Sequence, residues 1–166
     1  TGTLTQNKMT VAKLYSRNRF HDIDYGTNHL SETMHEVVEY SILASQRDPF
    51  DPMEKAFRRL GERYLANTEH LHDNWTLEQE YPLSPELLAM SHVWKSPDAR
   101  DYVIAAKGAP EAIADLCHYD ETQLAEMERN VATMAREGLR VLAVARAHFK
   151  QAEMPGEQHA FQFVFV

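Results

Sequence analysis

Lys107, Gly108 and Ala109 stand between an apolar strand-like run and a helix opened by Pro110. That order brings a cation and free backbone N–H groups toward an anionic ligand such as a phosphate or nucleotide. A surface lysine at a strand end, carrying little packing and followed by a turn glycine, accounts for the same three residues, and local sequence leaves both readings open. Glu54 stands three residues after Asp51, where a capping box asks for Glu or Gln whatever the domain does. Arg140 is placed on a strand face with Leu142 and Val144, where a guanidinium beside a core needs a partner or a route to water. A structural ion pair and a ligand contact both satisfy it. His70 and His72 beside Asp73, and His118 beside Cys117, fall short of the three or four ligands of a metal site, so no metal is expected within the domain. No Ser/His/Asp, Cys/His or paired-carboxylate arrangement stands out, and the chain offers no candidate catalytic residue.

The 17 Lys and Arg against 25 Asp and Glu give a net charge of −8, which argues against nucleic acid and anionic lipid as partners. An anionic ligand must therefore be held by a local basic site. A chain of 166 residues, 43% of them hydrophobic, is long enough to bury one core. The single cysteine, Cys117, excludes an internal disulfide and fits a reducing compartment such as the cytosol. No apolar run reaches the roughly 20 residues that span a bilayer, and the N-terminus lacks the order of a signal peptide.

These residues must be positioned by elements of mixed period. Met9 to Tyr15 reads as a short strand, and Arg17 to Asn28 as a polar loop with room for another. Met34, Val37, Val38 and Ile42 share one face of a helix capped by Ser31 and ending near Gln46. Asp51 and Pro52 open a second helix with Met53, Phe57, Leu60 and Tyr64 as its apolar stripe. Leu77, Gln79, Tyr81 and Leu83 alternate as in a half-exposed strand. Leu88 to Trp94 and Asp101 to Lys107 form a hairpin around Ser96, Pro97 and Asp98. Helices follow from Pro110 to Leu116 and from Asp120, with Gln123 in capping-box position, Leu124, Met127, Val131 and Met134 on one side, and Gly138 as the stop. Leu139 to Ala147 reads as a central strand, and Phe161, Phe163 and Phe165 alternate in a last one. Met90, Trp94 and these phenylalanines are expected in the core. The expected fold is α/β of the α+β kind, a mostly antiparallel twisted sheet with helices mainly on one side.

Several segments in order carry a family resemblance. The opening TGTLTQNKMTV resembles the stretch after the phosphorylated aspartate of P-type ATPases, DKTGTLT, which would place that aspartate two residues before Thr1. Haloacid-dehalogenase-like phosphatases share a similar turn, so this segment alone decides nothing. Asp51 to Glu54 resembles the family's DPTE-like segment, and Tyr81 to Trp94 its YPFSSERKRMSVV region. Lys107 to Glu111 is similar to KGAPE, and Gly138 to Ala145 to GLRVLA(V/L)A. Together they cover nearly the whole chain.

The resemblance implies a nucleotide-binding domain over residues 9–166, inserted into a phosphorylation domain of which residues 1–8, with Thr1, Gly2 and Thr3, are a stub. Glu54 would lie near the adenine amino group, Lys107 and Gly108 would line the adenine pocket, and Arg140 would lie toward the phosphates. The local phosphate reading of Lys107 would then give way to one at the base. Leu83 stands where many calcium pumps carry an adenine-stacking phenylalanine, and Leu88 where they carry a lysine, so weakened ATP binding is expected. The implied ligand is ATP with Mg2+, and the implied partners are the phosphorylation and actuator domains of one pump. The implied location is a cytoplasmic domain of an integral membrane cation transporter, without direct membrane contact from the domain. Because the nucleophile would precede Thr1, the fragment is expected to bind ATP without hydrolysing it. Two alternatives are the cap of a haloacid-dehalogenase-like phosphatase, against which KGAPE and GLRVLAVA speak, and a module that has lost ATP and only contacts its pump.

Overall fold

The computed structural model describes residue 4 and residues 6–27, 29–98, 100–150 and 153–166. The TGT of the opening motif lies outside them. The chain divides into two compact units, residues 1–71 and 72–166.

In the first unit, strands β1 (Lys13–Ser16) and β2 (Arg19–Asp22) form an antiparallel hairpin. Arg17 and Asn18 between them both have positive φ, 49° and 61°, as a two-residue hairpin turn of matching twist demands. The strand expected from Met9 starts only at Lys13, because β2 offers four residues of ladder and no more. Helix α1 (Glu32–Leu43) buries Met34, Val37, Val38, Tyr40, Ser41 and Leu43. Ser31 holds the N-cap position, but its hydroxyl pairs with Thr33 Oγ1 and makes no capping bond. Helix α2 (Pro52–Tyr64) is capped by Asp51, whose carboxylate accepts from Met53 N at 2.8 Å and Glu54 N at 3.3 Å. Arg59 Nη2 and the Tyr64 hydroxyl of α2 donate to the Met9 and Asp24 carbonyls, tying the helix to the segments flanking the hairpin.

The second unit is a five-stranded antiparallel sheet in the order β3 (Thr76–Tyr81), β4 (Ala89–Lys95), β5 (Tyr102–Gly108), β6 (Ala143–Phe149), β7 (Val164–Phe165). Helices α3 (Pro110–Leu116) and α4 (Glu121–Ala135) connect β5 to β6, and α3 packs on those two strands. One face of the sheet is the core. Val93, Ile104, Ala106, Ala143, Ala145 and Ala147 meet Ile113 and Leu116 of α3, and the small alanines let the helix approach. Phe161 closes this core with edge contacts to Tyr81, Phe149 and Phe163 at 5.2–5.8 Å. Asp120 and Gln123 form the expected capping box at 2.8 and 3.0 Å, and Gly138, at φ +79°, ends the α4 region as read.

Three expectations need correction. Leu83 is not a strand residue, since β3 stops at Tyr81 opposite Ser91. Residues 139–142 precede β6, so Arg140 shares no strand face with Leu142 and Val144. The ladder partner β5 ends at Gly108, opposite Ala143, and leaves nothing for those four residues to pair with. The last strand is Val164 and Phe165 alone, preceded by a 3-10 turn over Gln158–Ala160. Among the described residues no helix is long and apolar enough to cross a membrane.

Candidate functional site

The register of the sheet gathers most of the candidate residues at one end. Residues 82–88 connect β3 to β4 there, β5 finishes there with Lys107 and Gly108, and residues 139–142 lead into β6 beside them. The connection is tied down rather than loose. Ser84 N donates to Leu87 O and Leu87 N to Ser84 Oγ, both at 3.2 Å, while Ala109 N donates to Leu88 O at 2.9 Å. Leu87 packs against the core, which leaves Leu83 and Leu88 as exposed apolar side chains, 55% and 47% accessible.

Gly108 is fixed by this approach. A Cβ there would lie 2.3 Å from the Leu88 carbonyl oxygen and 2.7 Å from Ala89 Cα, so only glycine lets β4 and β5 close at this end. Lys107, flanked by Met90 on β4 and Val144 on β6, is only 6% exposed. The expectation that it carries little packing is therefore wrong, since its stem is enclosed by both neighbouring strands. Met90, expected in the core, is half-buried beside it on the face opposite α3, whereas Trp94, Phe161 and Phe163 are buried. The same face carries His92, 1% exposed, with Nε2 3.2 Å from Glu80 Oε1 across the β3–β4 pair. Sequence reading did not single out that pair, although strand alternation puts both residues on the Lys107 side. Arg140 is exposed. The helix after Lys107 has only seven residues and its first residue follows Ala109, which caps nothing with its side chain.

Glu54 belongs to the first unit. It is 8% exposed on α2, and its Oε2 accepts from the Gln46 N–H at 3.3 Å. The carboxylate thus joins the segment before α2 to the helix, a bond other than the return to the Asp51 N–H that the capping-box reading expected. Thr1, Gly2 and Thr3 lie outside the described residues.

The sequence profile of the P-type ATPase cytoplasmic domain N matches residues 47–165, from just before α2 to the end of β7. The chain belongs to this family. Relatives of the N domain include a putative cation-transporting ATPase of Methanocaldococcus jannaschii, 28% identical over 87% of this chain and 16% of that protein. Calcium-transporting ATPase 1 of Bacillus cereus is 25% identical over 100% of this chain and 20% of its own length. A sodium/potassium exporting P-type ATPase of Schizosaccharomyces pombe is 31% identical over 62% of this chain and 10% of its own. The N domain thus spans 10–20% of the length of these relatives. The antiparallel sheet with flanking helices is the α/β architecture read from the sequence.

Proposed function

We propose that this N domain binds ATP at the end of the sheet where residues 82–88, Lys107, Gly108 and Arg140 converge, and presents it to the phosphorylatable aspartate of a cation pump. The supporting observation is the make-up of that end: strand register holds Lys107 and Gly108 between β4 and β6, the 82–88 connection with its two exposed leucines leads into β4, and the exposed Arg140 stands three residues before β6. An apolar surface with a few placed polar groups suits a purine, and an exposed cation beside it suits the phosphates. In this reading Leu83 covers one face of the adenine, Lys107 and Gly108 line its pocket, and Arg140 reaches the phosphates.

Mg2+ arrives with the nucleotide, and the domain's contribution is positioning, holding the γ-phosphate in line with its acceptor. Residues 1–8, with Thr1, Gly2 and Thr3, belong to the phosphorylation segment, and an aspartyl phosphate formed on the aspartate that precedes this segment in the family motif drives cation transport in the parent. The phosphorylation and actuator domains of that pump are the partners.

Titration of the isotopically labelled chain with Mg-ATP, followed by amide NMR, tests this. Saturable shifts clustered at Leu83, Lys107, Gly108 and Arg140 are expected. No shifts at millimolar ATP would sink the reading and favour a module that only contacts its pump, a role for which the exposed Leu83 and Leu88 are suited.

A further inference from the structure

Outside the proposed nucleotide site, the first unit brings His70 against three side chains of α1. Glu32, His35 and Glu39 lie on α1, and His70 follows α2, 38 and 31 positions beyond the two glutamates that face it. The backbone turn that delivers His70 is formed without its imidazole. Asn67 takes φ 65°, Thr68 N donates to Leu65 O, and His70 N donates to Thr68 Oγ1.

The hydrogen bonds fix which ring nitrogens carry lone pairs. His35 Nε2 lies 3.0 Å from the Leu30 carbonyl, which can only accept, so that nitrogen bears the proton and Nδ1 is the bare one. His35 Nδ1 is buried and has no hydrogen-bond donor, yet it sits 3.3 Å from Glu32 Oε2. His70 Nδ1 lies 2.9 Å from Glu39 Oε2, another pure acceptor, which leaves Nε2 bare and 3.3 Å from Glu32 Oε1. The Glu32 carboxylate therefore stands between two imidazole lone pairs, one facing each oxygen. Acceptor against acceptor is repulsive unless a cation is shared among them.

The geometry points to a binding site for a divalent transition metal of the zinc class. His35 Nδ1, His70 Nε2 and the Glu32 carboxylate are the ligands, and water takes the fourth position. Their donor atoms lie within 4.8 Å of one another. Two ligands about 2.0–2.1 Å from a tetrahedral zinc stand about 3.3–3.4 Å apart, which is the separation found for both nitrogen–oxygen pairs. Each imidazole donates its other N–H to a carbonyl or carboxylate, the outer arrangement that orients metal-binding histidines. Two imidazoles and a carboxylate suit zinc over magnesium or calcium. The two carboxylates also balance a 2+ ion, whereas two neutral imidazoles would leave the cluster at −2. Glu32 is 79% exposed at its side chain, so an ion can enter from solvent.

A proton on each bare nitrogen would relieve the same repulsion. Burial lowers the His70 pKa, but the hydrogen bonds and charges of Glu39 and Glu32, with Glu69, outweigh it and leave the imidazole above its usual value. Protons therefore compete with the metal, and the test must separate the two.

Zinc titration of the chelator-treated chain at pH 7.5, against a chromophoric competitor, is expected to give one ion per chain with micromolar or tighter affinity. Co2+ is expected to add the intense visible absorption of a four-coordinate site. His35→Gln and His70→Gln should each weaken zinc at least about 100-fold, and Glu39→Gln about 10- to 100-fold, with circular dichroism unchanged. His72→Gln, whose parent ring stacks on Trp75 at 3.7 Å, should bind zinc as the parent does and serves as the control. Lowering the pH to 6 should weaken binding as protons claim the ligands. Absence of stoichiometric binding at about 100 μM zinc overturns the proposal in favour of the proton-bridged cluster. So does binding that survives both histidine substitutions, which would put the ion elsewhere.

Discussion

Leu83 projects from the β3–β4 connection with 55% of its surface in solvent, and if it covers adenine as proposed, a stacking ring would serve the base better. An aromatic contact is worth roughly 0.5–1.5 kcal/mol beyond its area. Leu83→Phe should therefore tighten ATP by up to about tenfold, and adenosine by the same factor, as measured by calorimetry. Equal affinities for parent and variant would place the base elsewhere. Lys107 requires a pair of variants because it is only 6% exposed. Lys107→Ala removes the stem between Met90 and Val144, and should lower both ATP affinity and melting temperature, by about 1–2 kcal/mol in stability. Lys107→Met keeps the stem, so affinity should fall with the melting temperature nearly unchanged. Sequence reading placed Lys107 at a strand end correctly but could not see its burial, which depends on β4 and β6 flanking it. Cys117 is a simpler case: burial pushes its thiol up to about 12, so almost no thiolate exists at neutral pH. Iodoacetamide should label the unfolded chain and largely spare the folded one.

At the scale of elements, the second unit depends on how closely β4 and β5 approach at Gly108. A methyl group there meets the Leu88 carbonyl at 2.3 Å and the Ala89 Cα at 2.7 Å, both backbone atoms that cannot rotate away. Gly108→Ala should cost about 1–3 kcal/mol in urea denaturation and disturb the 82–88 connection, weakening ATP as well. An unchanged midpoint would show that this end of the sheet is looser than drawn. Most of the legible signals lay within one turn of chain, although Ser31 sits at its N-cap without making the capping bond. The Asp120–Gln123 box, the stop at Gly138, the Asp51 cap and the hairpin about Ser96, Pro97 and Asp98 all read correctly, because each rests on neighbours in sequence. Strand ends did not, because a ladder is as long as its partner. Leu139 to Leu142 are apolar enough for a strand but face no strand, and Met9 to Ala12 extend past the end of β2. The hairpin turn at Arg17 and Asn18 escaped notice since neither is the glycine that usually marks positive φ. The His35–His70 pairing was invisible for the same reason as the strand ends, being set wholly by how α1 meets the segment after α2.

On the scale of the whole molecule, the proposed ligand is a polyanion and the chain carries a net charge of −8, so long-range field and local contacts would oppose each other. Arg140 is exposed, and in the proposed complex it would meet the phosphates within a few ångströms, a distance that modest salt screens weakly. The surplus of acidic residues acts from farther away, and the Debye length falls from about 30 Å at 0.01 M to about 10 Å at 0.1 M. Raising the salt over that range should therefore remove more repulsion than attraction, so ATP binds more tightly at 0.1 M than at 0.01 M. Free ATP should gain more than Mg-ATP, since it carries the larger charge. Arg140→Gln should weaken ATP while leaving adenosine unchanged, and should leave the salt response still more positive because a short-range attraction opposing it is gone. Calorimetric titrations of ATP, Mg-ATP and adenosine at the two salt concentrations read all three effects. Affinity that falls with salt in the parent chain would mean that the cations at the sheet end govern the field, and that the acidic surface lies too far from the nucleotide to matter.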